Sequence, residues 1–132
     1  MKMMAKKVAL YSMLVVLAAF LVSCSAPTLV GSNAAVYSGS RLHAVVNRDM
    51  TTVYKASVKA LEVLEIEITD KAKDVFSARI DGKAANGKKI VIIIKPGEGN
   101  LTKFSIKVGS YGNKYRSGKV YDEIQKALGL KG

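Results

Sequence analysis

Few residues in this sequence have side chains suited to catalysis or metal binding. The chain has one cysteine, Cys24, and one histidine, His43. Nucleophilic catalysis needs a general base held beside a serine or cysteine, and the alternation around His43 turns its side chain away from the predicted core. One histidine, one cysteine and scattered acidic residues do not supply the ligand spacing of a zinc site. We therefore expect no metal, no cofactor and no histidine-based catalysis.

Glu65 and Glu67 are the carboxylate pair whose spacing suits acid–base chemistry. Two positions apart on a predicted strand, they would share one face at a separation of about 7 Å. Two carboxylates at that distance could hydrolyse a glycosidic bond. The other interpretation is a solvated outer face on which both glutamates meet neighbouring lysines.

Basic residues outnumber acidic ones by 21 to 10, which favours anionic partners. The outward positions of the predicted strands include Arg79, Lys83, Lys103 and Lys107. A basic sheet face with aromatic residues would indicate RNA binding. These outward positions carry no aromatic residue, so nucleic acid is disfavoured. Anionic lipid, lipopolysaccharide or an acidic protein could use the face, and the plainer interpretation is a solvated face that resists edge pairing.

A glycine-flanked segment, GSYGNKYRSGK, adds Tyr111, Tyr115 and Arg116 as candidate binding residues. Aromatic and cationic side chains on a loop can stack on sugars or bind anionic head groups. The alternative is a loop that leads into a helix, with both tyrosines packed on the edge of the core.

Residues 1–23 have the pattern of a signal peptide. Lys2, Lys6 and Lys7 precede an uncharged apolar run from Val8 to Val22. The length of this run matches a secretory h-region of about 7–15 residues and falls short of the ~20 that cross the hydrocarbon core. The small, polar residues around Cys24 then suit a processing site.

The four residues Leu21-Val22-Ser23-Cys24 resemble the lipobox of bacterial lipoproteins. In that family the cysteine thiol receives a diacylglyceryl group, a signal peptidase cuts before the cysteine, and the new amine is acylated. The resemblance implies that Cys24 is the lipidation site and the first mature residue, because several acyl chains give stable anchoring. An aspartate directly after the cysteine would imply retention in the inner membrane. Ser25 stands there instead, so the resemblance implies delivery to the outer membrane, with the domain in the periplasm. An uncleaved inner-membrane signal anchor is the alternative.

The mature chain divides into a tether, residues 24–39, and a domain, residues 40–132. Periodicity predicts five strands and two helices in the order β-α-β-β-β-β-α. This order predicts an α+β two-layer sandwich, an antiparallel sheet of about five strands with both helices on one face. We expect Phe76 to face inward, a polar turn at "KAKD", and a type I′ turn at Asn86-Gly87. The predicted strands are 41–46, 65–69, 75–84, 89–95 and 101–108, and the helices are 50–64 and 119–128.

The element order and three motifs resemble an uncharacterised family of small Gram-negative envelope lipoproteins. The motifs are the helical stretch from Ala56 to Glu65, Asp81-Gly82-Lys83, and the strand from Ser105 to Gly109. The family implies no established activity, cofactor or catalytic residue. We therefore expect a lipid-anchored, non-catalytic binding or structural module that contacts an anionic envelope component or an envelope protein. The alternatives are an enzyme that acts on an envelope polymer through its glutamate pair, and a signal-anchored inner-membrane protein.

Overall fold

In a computed structural model, residues 35–130 form one antiparallel sheet with two helices packed on one face. The structure describes Ser12 and residues 35–130. Across the described sheet the strand order is β1-β2-β6-β5-β4-β3, and every neighbouring pair is antiparallel. The predicted α+β class is confirmed. The strands are β1 (Ala35–Ser38), β2 (Arg41–Val46), β3 (Glu67–Lys73), β4 (Ala78–Lys83), β5 (Lys89–Pro96) and β6 (Thr102–Val108), and the helices are α1 (Met50–Val63) and α2 (Lys114–Ala127).

The core lies between the helices and one face of the sheet because apolar residues alternate along the central strands. One row of the register, from β2 through β6 and β5 to β4, consists of fully buried side chains. The branched run of β5 occupies the centre of the sheet, where both neighbours are strands. The row is Leu42, Ile106, Ile92 and Ile80.

Each helix begins at a side chain that caps its first turn. The carboxylate of Asp49 accepts a hydrogen bond from the Thr52 backbone amide at 3.1 Å. The side chain of Asn113 accepts one from the Arg116 amide at 2.9 Å. Helix α2 therefore begins at Lys114, five residues before its predicted start.

The sheet has six strands among the described residues, one more than expected. Strand β1 lies in the stretch predicted to be tether, yet Ala35 is buried and pairs with Ala44 of β2. A strand of only four residues, AVYS, carries too little alternation to stand out in the sequence. The rest of the predicted tether, residues 24–34, lies outside the described residues.

The turn between β3 and β4 falls after "KAK" rather than within it. Residues 71–73 continue β3, and the turn runs from Asp74 to Ser77. The Asp74 Oδ1 atom accepts hydrogen bonds from the amides of Phe76 at 2.7 Å and Ser77 at 2.9 Å. The prediction that Phe76 faces inward is wrong, since this side chain is 80% exposed at the turn.

Asn86-Gly87 forms the β4–β5 turn, but the predicted type I′ geometry is wrong. Only Gly87 of the pair has a positive φ, +83°. Its amide donates to the Ala84 carbonyl at 2.9 Å, and the Ala84 amide donates to the Lys88 carbonyl at 2.9 Å. This pattern is the three-residue hairpin loop that ends with a glycine in the left-handed region.

Candidate functional site

The carboxylate pair required by the glycosidase hypothesis is not formed on one strand face. Strand β3 begins at Glu67, whereas Glu65 follows the end of α1 with a φ of +57°. The Ile66 amide donates to the Leu61 carbonyl at 2.8 Å, and the Glu65 amide donates to the Glu62 carbonyl at 3.0 Å. These two bonds define a Schellman motif, which satisfies the last carbonyls of a helix. The predicted geometry is therefore wrong, because Glu65 terminates the helix rather than extending the strand.

His43 lies on the open face of the sheet, as predicted, and its side chain is exposed. Its Nε2 atom lies 3.2 Å from the Ser38 carbonyl oxygen. In the register it stands opposite Ser105 of β6 and Val36 of β1. The imidazole thus has a backbone contact across the β1–β2 hairpin.

The four predicted outward cations point to the open face but do not form one patch. Arg79 makes two hydrogen bonds to the Asp81 carboxylate, at 2.9 and 3.2 Å. This contact raises the pKa of the Arg79 guanidinium and neutralises its charge locally. Lys103 pairs with Lys95 near one end of the strands, whereas Lys83 and Lys107 lie toward the other.

The antiparallel pairing gives the sheet two chemically different ends. We call the end at which β1 begins the Ala35 end. At the opposite end, which we call the basic end, β6 finishes at Val108, β4 finishes at Lys83 and β5 begins at Lys89. Helix α2 also begins there, after the loop that follows β6.

The basic end gathers cations and two exposed tyrosines from four elements and their loops. Tyr111 is 94% exposed and Tyr115 is 71% exposed, so neither packs on the core edge. Lys119 Nζ lies 5.1 Å from the centre of the Tyr115 ring, a cation–π contact. Ion pairs within the described residues join Arg79 to Asp81 and Lys126 to Glu123, and none includes a cation of the basic end. The basic end comprises Lys83, Lys88, Lys89, Lys107, Tyr111, Lys114, Tyr115, Arg116 and Lys119.

A small apolar pocket of 150 Å³ opens at the basic end between α1, α2 and the sheet. Arg116 and Lys119 are its two charged lining residues. A ligand at this point could contact apolar side chains and two cations together. The apolar lining residues are Leu64, Ile66, Ile90, Val108 and Val120.

A larger hollow of 770 Å³ lies on the open face over β2, β6 and β5. Val36, Val45 and Ile93 give it an apolar floor, and Arg41, Lys95 and Lys103 are its cations. The Arg41 Nη1 atom is buried and has no hydrogen-bond partner among the described residues. This hollow therefore places apolar and cationic groups together a second time.

Lys88 and Lys89 of the basic end were not among the predicted site residues, whereas Lys114 and Lys119 lie inside the predicted segment GSYGNKYRSGK. Lys88 and Lys89 follow the Asn86-Gly87 turn, so the sequence alone predicts that they lie at the end of a strand. What periodicity does not show is which other strand ends lie beside that turn. The strand order supplies this information by placing β5 between β4 and β6.

Cys24 and the predicted signal peptide, residues 1–23 apart from Ser12, lie outside the described residues. Over the part of the chain that is described, no helix combines the length and apolarity needed to cross a bilayer. The same part holds no group of three or more side chains suited to bind a metal ion.

The fold and its surface define a small α+β domain with a strongly basic, aromatic end. Residues 5–127 match the family described as protein of unknown function, DUF3568. The chain therefore belongs to the DUF3568 family, and the expected kinship with an uncharacterised family is confirmed. A comparison with the curated proteins finds no match.

Proposed function

We propose that this protein is a lipid-anchored envelope lipoprotein whose domain binds an anionic envelope component and catalyses no reaction. The anchor is supported by the three N-terminal lysines, the short apolar run and the lipobox-like Leu21-Val22-Ser23-Cys24. The observation that carries the binding role is the basic end, where cations from separate elements converge and, although Glu67 stands opposite Lys83 in the register, make no ion pair with a described acidic residue.

Binding an anion at the basic end requires little rearrangement of the protein. Its cations make no ion pair with the described acidic residues, so an anionic partner breaks no existing pair. The N-terminus of α2 points to the same end and contributes its partial positive charge. The site is thus electrostatically prepared for a partner with several negative charges.

The exposed tyrosines favour a partner that contains sugars as well as charge. Tyr111 and Tyr115 present ring surface to solvent beside cations, and aromatic rings can stack on sugar rings. The chemistry of the partner is therefore an anionic saccharide of the envelope. Lipopolysaccharide and peptidoglycan both have this chemistry, and they serve as separate probes below.

The anchor is tested by the intact mass of the membrane-extracted protein beside a Cys24→Ala variant. We expect the wild type to lack residues 1–23 and to carry a diacylglyceryl group and an acyl chain. The variant should carry neither lipid. A wild type that retains its N-terminus without lipid contradicts the proposed anchor.

The binding role is tested with a triple variant of the basic end, Lys83→Gln, Lys107→Gln and Arg116→Gln. The control, Lys55→Gln, Lys59→Gln and Lys126→Gln, removes the same charge from α1 and from the last turn of α2. Co-sedimentation with lipopolysaccharide aggregates and with peptidoglycan sacculi measures the affinity at low and physiological salt. Exposed charges contribute about 0.2–1 kcal/mol each, so we expect the basic-end variant to bind roughly tenfold more weakly.

The two variants separate a site from a general charge effect. Equal weakening by both triple variants means that net charge, and not the basic end, governs binding. Unchanged binding by the basic-end variant contradicts the proposed site. A loss with only one probe identifies which saccharide the site binds.

A further inference from the structure

We propose that the Ala35 end of the domain rests on the bilayer that holds the lipid anchor, with Val75 and Phe76 inserted into the lipid surface. The inference rests on the proposed function, because it requires an anchor at Cys24. Val75 is 81% exposed and Phe76 is 80% exposed, side by side in the β3–β4 turn. Turns usually carry small or polar residues, so two adjacent large apolar side chains exposed to water are unusual in one.

The turn holds both side chains outward in a defined conformation. The Asp74 amide donates to the Ser77 carbonyl at 2.9 Å, which closes the turn. Asp74 Oδ1 also accepts the amides of Phe76 and Ser77, so the carboxylate fixes the backbone beneath the two apolar residues. The apolar pair is therefore presented on a structured loop.

Neither the backbone of this turn nor the core explains the choice of valine and phenylalanine. Neither residue has a positive φ, so the turn places no special demand on them, and polar residues are usual at such positions. Their exposure shows that they do not stabilise the folded domain by burial. A contact outside the domain accounts for them better.

The register places this turn at the end of the sheet where the chain arrives from Cys24. Ala35, Ala44, Phe104, Ile94 and Ala78 form one row across the sheet. The β3–β4 turn lies just beyond Ala78 on the side from which the chain reaches Ala35. The apolar turn and the arriving chain therefore share one end.

The length of chain before β1 keeps the Ala35 end close to a lipidated Cys24. Ten residues separate Cys24 from Ala35. Fully extended they span at most ~35 Å. The bilayer is thus the surface that the Ala35 end meets first.

The surroundings of the turn suit a lipid–water interface. Lys73 directly precedes Asp74, and Lys71 is exposed two residues earlier on β3. Leu101, in the neighbouring β5–β6 turn, is 40% exposed at the same end. Apolar side chains flanked by lysines are typical of segments that sit in a membrane interface that contains anionic lipid.

A single tryptophan can report the insertion, because the chain has no natural tryptophan. The reporter is Phe76→Trp, and the matched control is Tyr111→Trp, an even more exposed aromatic position at the basic end. Both full-length lipidated proteins are reconstituted in phosphatidylethanolamine–phosphatidylglycerol vesicles with or without brominated acyl chains. Circular dichroism checks that each variant is folded.

We expect the tryptophan at 76 to shift its emission to the blue and to lose at least half of its intensity to brominated lipid. The tryptophan at 111 should keep water-like emission and little quenching. Equal quenching at both positions, or stronger quenching at 111, overturns the proposed orientation. A blue shift at 76 that grows with protein density and ignores bromination overturns it in favour of contact between copies of the chain.

Intact mass, measured on the same preparations, separates this inference from the proposed function. A mass without lipid contradicts the anchor, and the inference falls with it. A lipidated protein whose tryptophan at 76 stays water-exposed contradicts the insertion alone and leaves the anchor standing.

Discussion

Replacing Glu65 by glycine should stabilise the protein, because Glu65 holds a backbone conformation that glycine adopts more easily. Both helices end in a Schellman motif with the left-handed residue one position beyond the C-cap. In α2 that residue is Gly129, with φ +75°, and Leu130 donates to the Gln125 carbonyl at 2.9 Å. In α1 the same place is taken by Glu65, with φ +57°.

The expected gain follows from two opposing effects. The left-handed conformation costs a residue with a side chain about 1–2 kcal/mol. Glycine also makes the unfolded chain more flexible, which lowers the free energy of unfolding by about 0.4–1 kcal/mol. The Glu65 side chain is exposed, so its removal loses no core packing. We expect the free energy of unfolding to rise by about 0.5–1 kcal/mol, or roughly 2–8 °C in Tm.

Thermal unfolding of the purified full-length protein, followed by far-UV circular dichroism, measures this change. Glu65→Gln is the first control, since it removes the negative charge at a helix C-terminus but keeps the strained backbone. It should reproduce only a minor part of the gain. Gly129→Ala is the second control and should lower the Tm by a similar amount. If Glu65→Gly lowers the Tm, the left-handed helix end described for Glu65 is wrong.

Three further predictions concern the cap, the sheet and the exposed turn. At neutral pH Asp49→Ala should lower the Tm more than Asp49→Asn does, because both Asp and Asn cap helices well. The hydrogen bonds that Asp49 accepts lower the pKa of its carboxyl group. The extra contribution of the carboxylate to the free energy of unfolding is therefore full above about pH 3.9 and is lost as the pH falls through the lowered folded pKa. A pH-independent difference in Tm between wild type and Asp49→Asn would contradict this. Gly82→Ala should destabilise the domain by about 1–3 kcal/mol, since the new Cβ would lie 2.9 Å from Ile66 Cγ2, and a urea midpoint equal to wild type would show that this contact relaxes freely. Val75→Ser and Phe76→Ser should each change the free energy of unfolding by less than about 0.5 kcal/mol, and a larger loss in urea titration would mean that these side chains support the fold.

Periodicity predicted the central elements well because burial on one face imposes it. Leu42 and Ala44 alternate with exposed His43 on β2, and Val53, Ala60 and Leu61 keep the helical spacing on α1. It failed where an element buries little. Strand β1 has four residues, and β3 is exposed along almost its whole length, so neither carries a strong pattern.

Local hydrogen bonds, rather than burial, account for the other places where the structure differs from the sequence predictions. Asp74 can close a turn with its own carboxylate, which places Phe76 outside although the residues around it alternate. Asn113 caps α2 and extends the helix through a glycine-containing stretch that reads as a loop. The Schellman bonds at Glu65 end α1 where alternation alone predicts a strand.

The sequence predicted which types of residue form the candidate site, but not which of them lie together at one end of the sheet. Lys83, Lys107, Tyr111, Tyr115 and Arg116 do meet at one end of the domain. Lys103 lies toward the other end, and Arg79 is occupied by Asp81. Alternation assigns a residue to a face of the sheet, but only the strand order and direction assign it to an end.

The separation of the two ends bears on what the cations are for. Strand β6 runs from the Ala35 end to the basic end over seven residues, Thr102–Val108, which is ~20 Å at 3.4 Å per residue. Charges are screened over about 8 Å at physiological ionic strength. Lys71, Lys73, Lys95 and Lys103 lie toward the Ala35 end, where they can meet the membrane of the domain's own anchor. The cations of the basic end lie too far from that membrane to be held by it, which favours a second anionic partner, held away from the anchoring bilayer by the length of the sheet.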